Sequence, residues 1–104
     1  MDIYTICDLV RAQQIKFTKH ASEERRHAQL SEAEVGESIL SGDMLESQSD
    51  ERGTKYRIRG DTFYTARTVE SIVSVNVDEE TEREFVTIIT VFERKPRRKG
   101  GRRP

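Results

Sequence analysis

The chain has 104 residues, 34% of them hydrophobic and 36% charged, without Trp; at that length one domain with a modest core is the default, because two halves would each bury too little. The formal net charge of −1 hides an asymmetry, since seven of the 18 basic residues follow the last acid, Glu93, and residues 1–93 hold eleven bases against nineteen acids, a net of −8. A single cysteine excludes an internal disulfide, and the N-terminus MDIYTICDLV lacks the basic flank and apolar length of a signal peptide or membrane span, so a cytoplasmic protein with no membrane partner is expected.

Ile3, Ile6, Cys7 and Val10 follow the i, i+3, i+4, i+7 spacing of one helical face, which predicts a helix from about Ile3 to Gln13 with Cys7 as a buried thiol. Residues 15–18, Ile-Lys-Phe-Thr, read as a short extended segment. The run Ala21 to Ala28 is rich in helix formers but poor in apolar residues and predicts a largely exposed helix. Ser31-Glu-Ala-Glu34 is a capping-box pattern, Val35, Ile39 and Leu40 supply the apolar stripe of the helix it starts, and Gly42 fits the position just beyond its end.

From Met44 the period changes to two. Tyr56 and Ile58 alternate with Lys55, Arg57 and Arg59, while Ile72–Val77 and Phe85–Phe92 are rich in β-branched and aromatic residues. Asp50–Gly53 and Gly60-Asp61 read as turns, Asp61–Glu70 as a further strand or a long loop, and the polar stretch Asp78–Arg83 as a hairpin loop. The expected fold is α+β, with N-terminal helices packed on one face of a roughly four-stranded antiparallel sheet. Residues 1–95 form the compact domain, and residues 96–104 a disordered basic tail with nothing to bury.

Phe17-Thr-Lys-His-Ala21, followed by Ser31-Glu-Ala-Glu-Val35 and Ile39-Leu-Ser-Gly42, with further matches at Tyr56–Gly60 and Ile88-Ile-Thr-Val91, resembles a bacterial family known as the domain of unknown function numbered 4258. The resemblance covers roughly residues 15–93. It implies a RelE-like fold and an affinity with the RelE, BrnT and MqsR-like toxins, which cleave RNA without a metal or other cofactor and are paired with an antitoxin protein. Members of the family place an arginine four residues after the histidine; here that position is Glu24, and the arginines stand at 25 and 26.

Metal-free RNA cleavage needs a proton acceptor for the 2′-hydroxyl, a proton donor for the leaving oxygen, and cations around the phosphorane. His20, at a strand-to-helix junction, either transfers that proton or caps the junction. Arg57 and Arg59, two apart on a strand, project from one face and either hold a phosphate or form a solvated surface. Arg25 and Arg26 follow His20 by little more than one turn and either take the role of the displaced arginine or pair with Glu23 or other nearby acids; Arg25 completes the candidate catalytic set of His20, Arg25, Arg57 and Arg59. Arg26, Lys55, Tyr64, Arg67, Arg97 and Arg98 are the further candidates for contacting nucleic acid, and His27 reads as a surface residue. No metal-ligand cluster is signalled.

The function expected is a toxin-like, metal-independent endoribonuclease with RNA as substrate and an antitoxin as partner. The alternative is a non-catalytic protein- or nucleic-acid-binding module of the same fold. Catalysis requires His20 and at least two arginines to converge on one cavity, whereas a binder can scatter them. The net −8 of residues 1–93 favours the binder, because surfaces that act on nucleic acid carry positive charge.

Overall fold

A computed structural model describes residues 2–95; the basic tail, with Arg97 and Arg98, lies outside the described residues. In chain order the elements are α1 Ile3–Arg11, β1 Ile15–Phe17, α2 Lys19–His27, α3 Glu32–Leu40, β2 Asp43–Asp50, β3 Gly53–Asp61, β4 Thr68–Val77 and β5 Glu84–Arg94. The strands form one sheet in the order β1-β5-β4-β3-β2. No helix among the described residues is long and apolar enough to cross a membrane.

Each helix begins where a short polar side chain accepts an otherwise unpartnered amide. Asp2 accepts from Thr5 N, Thr18 from Ala21 N, and Ser31 from Glu34 N. The Glu34 carboxylate in turn accepts from Ser31 N, which completes the expected capping box. α1 ends at Arg11, two residues before its expected end, because Gln13 turns left-handed at φ 60° and breaks the ladder. Gln29, at φ 57°, does the same after α2.

β2 to β5 form the expected antiparallel meander. The expectation of four strands is corrected by β1, which pairs parallel to the outer edge of β5, Ile15 opposite Val86 and Phe17 opposite Ile88. The sheet is therefore five-stranded and mixed. Gly60 is also corrected: it lies inside β3 rather than in a turn. Glycine is required there by close approach, since a Cβ on Gly60 would stand 1.9 Å from the Ser38 carbonyl oxygen of α3. Asp61–Glu70 divides into the last residue of β3, a loop and the start of β4.

The core lies between the helices and one sheet face. Tyr56 and Ile58 of β3, Val69 and Val73 of β4, and Val86, Ile88 and Val91 of β5 are buried there with Ile6, Val10, Ala21, Val35 and Ile39 of the helices. Each buried Val or Ile side chain among them contributes on the order of 1.5–3 kcal/mol of transfer free energy. The alternate residues, Lys55, Arg57, Arg59, Glu70 and Ile72 among them, occupy the opposite face, as strand alternation demands.

Candidate functional site at the α2–β5 edge

β1 stops at Phe17 while β5 runs on to Arg94, so beyond Ile88 the outer edge of β5 would be left without a neighbouring strand. The start of α2 fills this place. Thr18 N donates to the Ile88 carbonyl at 3.0 Å, Thr18 Oγ1 donates to the Ile89 carbonyl at 3.2 Å, and Glu24 Oε1 accepts from Val91 N at 3.1 Å. A strand-edge amide is thus satisfied by a carboxylate one helical turn into α2, which gives the acid at position 24 a physical role.

The same carboxylate oxygen lies 3.4 Å from His20 Nε2, and the His20 side chain is 69% exposed. With Nε2 turned to Glu24, Nδ1 is the nitrogen left for a ligand. His20 lines a cleft of about 1110 Å³ between α2 and the C-terminal half of β5, together with Arg26, His27, Arg67, Glu93 and Lys95. His27 follows His20 by seven residues, two helical turns, and so shares its face of α2. His27 is exposed, as expected of a surface residue, and its surface position lies along this cleft.

The cations around the cleft differ in availability. Arg26 donates through Nε to the Ser22 carbonyl at 3.2 Å and is otherwise exposed. Arg67 is largely occupied: its guanidinium donates to the carbonyls of Ala28 at 2.6 Å and Gln29 at 2.9 Å and to Glu93 at 2.7 Å, with Glu34 at 3.7 Å. The Arg67 hydrogen bond holds the Glu93 carboxyl below its ordinary range. Arg67 thus forms part of the wall and ties it to the turn after α2.

The four residues of the expected catalytic set do not converge. Arg25 is absent from the cleft lining; its side chain is 18% exposed, donates to the Leu30 carbonyl at 2.9 Å, and lies over the Phe17 ring at 5.6 Å. It anchors α2 to the core. Arg57 and Arg59 stand on the sheet face opposite the helices, where Lys55 joins them. There Arg59 pairs with Glu70 at 3.1 Å, and Arg57 Nε lies 3.5 Å from Glu46 and 3.6 Å from Glu70. Tyr64 is 90% exposed at the tip of the β3–β4 loop, edge-on to Phe63.

Sequence reasoning missed three contributors. His27 carried a readable signal in its seven-residue spacing from His20. Glu70 carried one too, as the single charged residue of β4. The Glu24–Val91 contact carried none, since it joins residues 67 apart. No group of three or more His, Cys, Asp or Glu side chains among the described residues is placed to hold a metal ion.

A family model described as a domain of unknown function (DUF4258) matches residues 17–93. No curated protein and no solved structure matches the chain.

Proposed function

The chain belongs to the DUF4258 family, and from its cleft geometry we propose that it is a toxin-like, metal-independent endoribonuclease that cuts RNA between α2 and β5. The observation that carries this reading is an exposed imidazole, His20, paired with a carboxylate, Glu24, that is itself fixed by the Val91 amide. A carboxylate on one ring nitrogen orients the imidazole and leaves the other nitrogen facing the cleft. In the proposed step His20 Nδ1 accepts the 2′-hydroxyl proton, the 2′-oxygen bonds to phosphorus, and the bond to the 5′-oxygen breaks. A cyclic phosphate and a free 5′-hydroxyl result. His27 is the candidate donor to the leaving oxygen, and Arg26 and Lys95 are the candidate partners of the phosphorane charge.

Residues within this reading have moved from the sequence expectation, with Arg57 and Arg59 no longer assigned to the reacting phosphate. Relationship to the RelE-like toxins, a cytoplasmic location and an antitoxin partner belong to the same proposal. One observation favours the rival, a non-catalytic binding module: among the described residues the candidate cations Arg26, Lys55, Arg57, Arg59 and Arg67 divide between two faces instead of meeting at His20. A metal-free assay with chelator present, on single-stranded RNA, separates the two. Cleavage by the wild type that falls by about 10²–10⁴-fold in His20→Ala supports the enzyme. No cleavage by the wild type, or full activity in His20→Ala, overturns it in favour of the binder.

A further inference from the structure

The sheet face turned away from the helices carries a second group of chemically equipped residues that the cleft does not use. Strand register places them in rows across β2, β3, β4 and β5. One row is Glu46, Arg57, Ile72 and Thr90, and its neighbour is Gln48, Lys55, Ser74 and Thr87. Beside them stands Glu70, whose side chain is only 2% exposed although no helix packs over it. It is covered in part by the arginines it binds: Arg59 approaches through Nε and Nη2 at 3.2 and 3.1 Å, and Arg57 through Nε at 3.6 Å. Burying a carboxylate is costly unless its partners are held well, so the placement constrains both arginines.

The consequence is clearest at Arg57. Glu46 and Glu70 both meet it at Nε, which leaves the outer edge of the fork, Nη1 and Nη2, for a ligand. That edge is the part of a guanidinium suited to two oxygens of one phosphate. Around it lies a cleft of about 280 Å³ whose lining includes Lys55, Gln48 and Thr90 with Ile72 and Ile89. Two cations stand next to two aliphatic side chains that can support a flat ring. Gln48 donates its amide to Glu46 at 3.1 Å and keeps its carbonyl oxygen as an acceptor. Two further cations of this face are already engaged, Arg59 by Glu70 at 3.1 Å and Lys16 by Asp78 at 3.7 Å and by the Phe85 ring.

We propose that this open face holds a second binding site, separate from the α2–β5 cleft, for a nucleotide whose phosphate sits on Arg57 and Lys55 and whose base lies on Ile72 and Ile89. The same chemistry is offered by a free mononucleotide and by one unit of a single strand. The site uses no residue of the cleft, so it stands or falls independently of the cleavage reading.

The test is an amide NMR titration of the full chain with adenosine 5′-monophosphate, with inorganic phosphate and adenosine as half-ligands, and with a short 2′-deoxyadenylate oligomer that cleavage through a 2′-hydroxyl cannot consume. The nucleotide should shift Lys55, Arg57, Ile72 and Thr90 saturably, and each half-ligand should bind at least about tenfold more weakly. Arg57→Gln should weaken the nucleotide by about tenfold or more, Arg57→Lys by less, and His20→Ala not at all. A tighter response to the oligomer at the same residues identifies the strand as the source; a response to the mononucleotide alone identifies the free nucleotide. Lys55→Gln, on an exposed strand position, repeats the test if Arg57→Gln fails to fold. Absence of saturable shifts with both the mononucleotide and the oligomer overturns the proposal. So do shifts that survive undiminished in Lys55→Gln and in whichever Arg57 variants fold.

Discussion

At the scale of single residues, Glu24 shows how one carboxylate can join packing to chemistry. It accepts from the Val91 amide and faces His20 with the same oxygen. The two roles respond differently to substitution. Glu24→Gln keeps a carbonyl oxygen for Val91 N but removes the charge beside the imidazole, so the fold should be nearly unaffected while cleavage through His20 falls. Glu24→Ala removes both and leaves a part-buried amide unpartnered, which should cost about 1–3 kcal/mol in a denaturant melt. Equal stability of the Gln and Ala variants would show that the Val91 contact contributes nothing. Undiminished cleavage by Glu24→Gln would separate the carboxylate from the imidazole's work.

Elements reveal where the sequence was readable. The start of α3 was legible because Ser31 and Glu34 are three residues apart and need nothing distant, and Ser31→Ala should cost on the order of 1 kcal/mol by denaturant melt. Strand alternation likewise put Arg57 and Arg59 on one face. What alternation cannot say is which side of the sheet the helices take, and that choice separates those arginines from His20. β1 escaped notice as a strand pairing because three residues carry too little period to declare a partner 71 positions away, Phe17 opposite Ile88. Gly60 misled for a related reason: beside Asp61 it resembles a turn, whereas its cause is the Ser38 carbonyl of α3. A methyl there must displace backbone, not a flexible side chain. Gly60→Ala should therefore destabilise by roughly 1–3 kcal/mol, and a thermal melt matching the wild type would show that α3 can lift from β3 freely.

For the molecule as a whole, Arg67 is the point where distant parts of the chain meet: the turn after α2 through the Ala28 and Gln29 carbonyls, α3 through Glu34, and the end of β5 through Glu93. The loop that carries Arg67 is tied down as well, since Phe63 N donates to Glu37 and Thr65 Oγ1 to Glu34, both at 2.8 Å. The pH dependence of folding follows from this network. Glu93 is held below its ordinary value of 4.5, first by the Arg67 hydrogen bond. Glu34 is held below the same value, first by the Ser31 amide and then by the Thr65 hydroxyl. A carboxyl whose pKa is lower folded than unfolded stabilises the fold above its unfolded value, and loses that contribution as pH falls through the folded one. Stability should therefore hold from neutrality down to about pH 4.5 and decline below it. Arg67→Met should lower stability at neutral pH by about 1–3 kcal/mol, because two carbonyls and a carboxylate lose their donor. It should also flatten the acid limb, since Glu93 then titrates nearer its ordinary value, while the part of the limb due to Glu34 and its Ser31 cap persists. Urea melts of both proteins from neutral pH to below pH 4 measure this. An acid limb of equal steepness in the variant would place the acid sensitivity in Glu34 with its Ser31 cap and in Asp78, held low by the amides of Thr81 and Glu80, and would leave Arg67 as a link between elements with no share in the pH response.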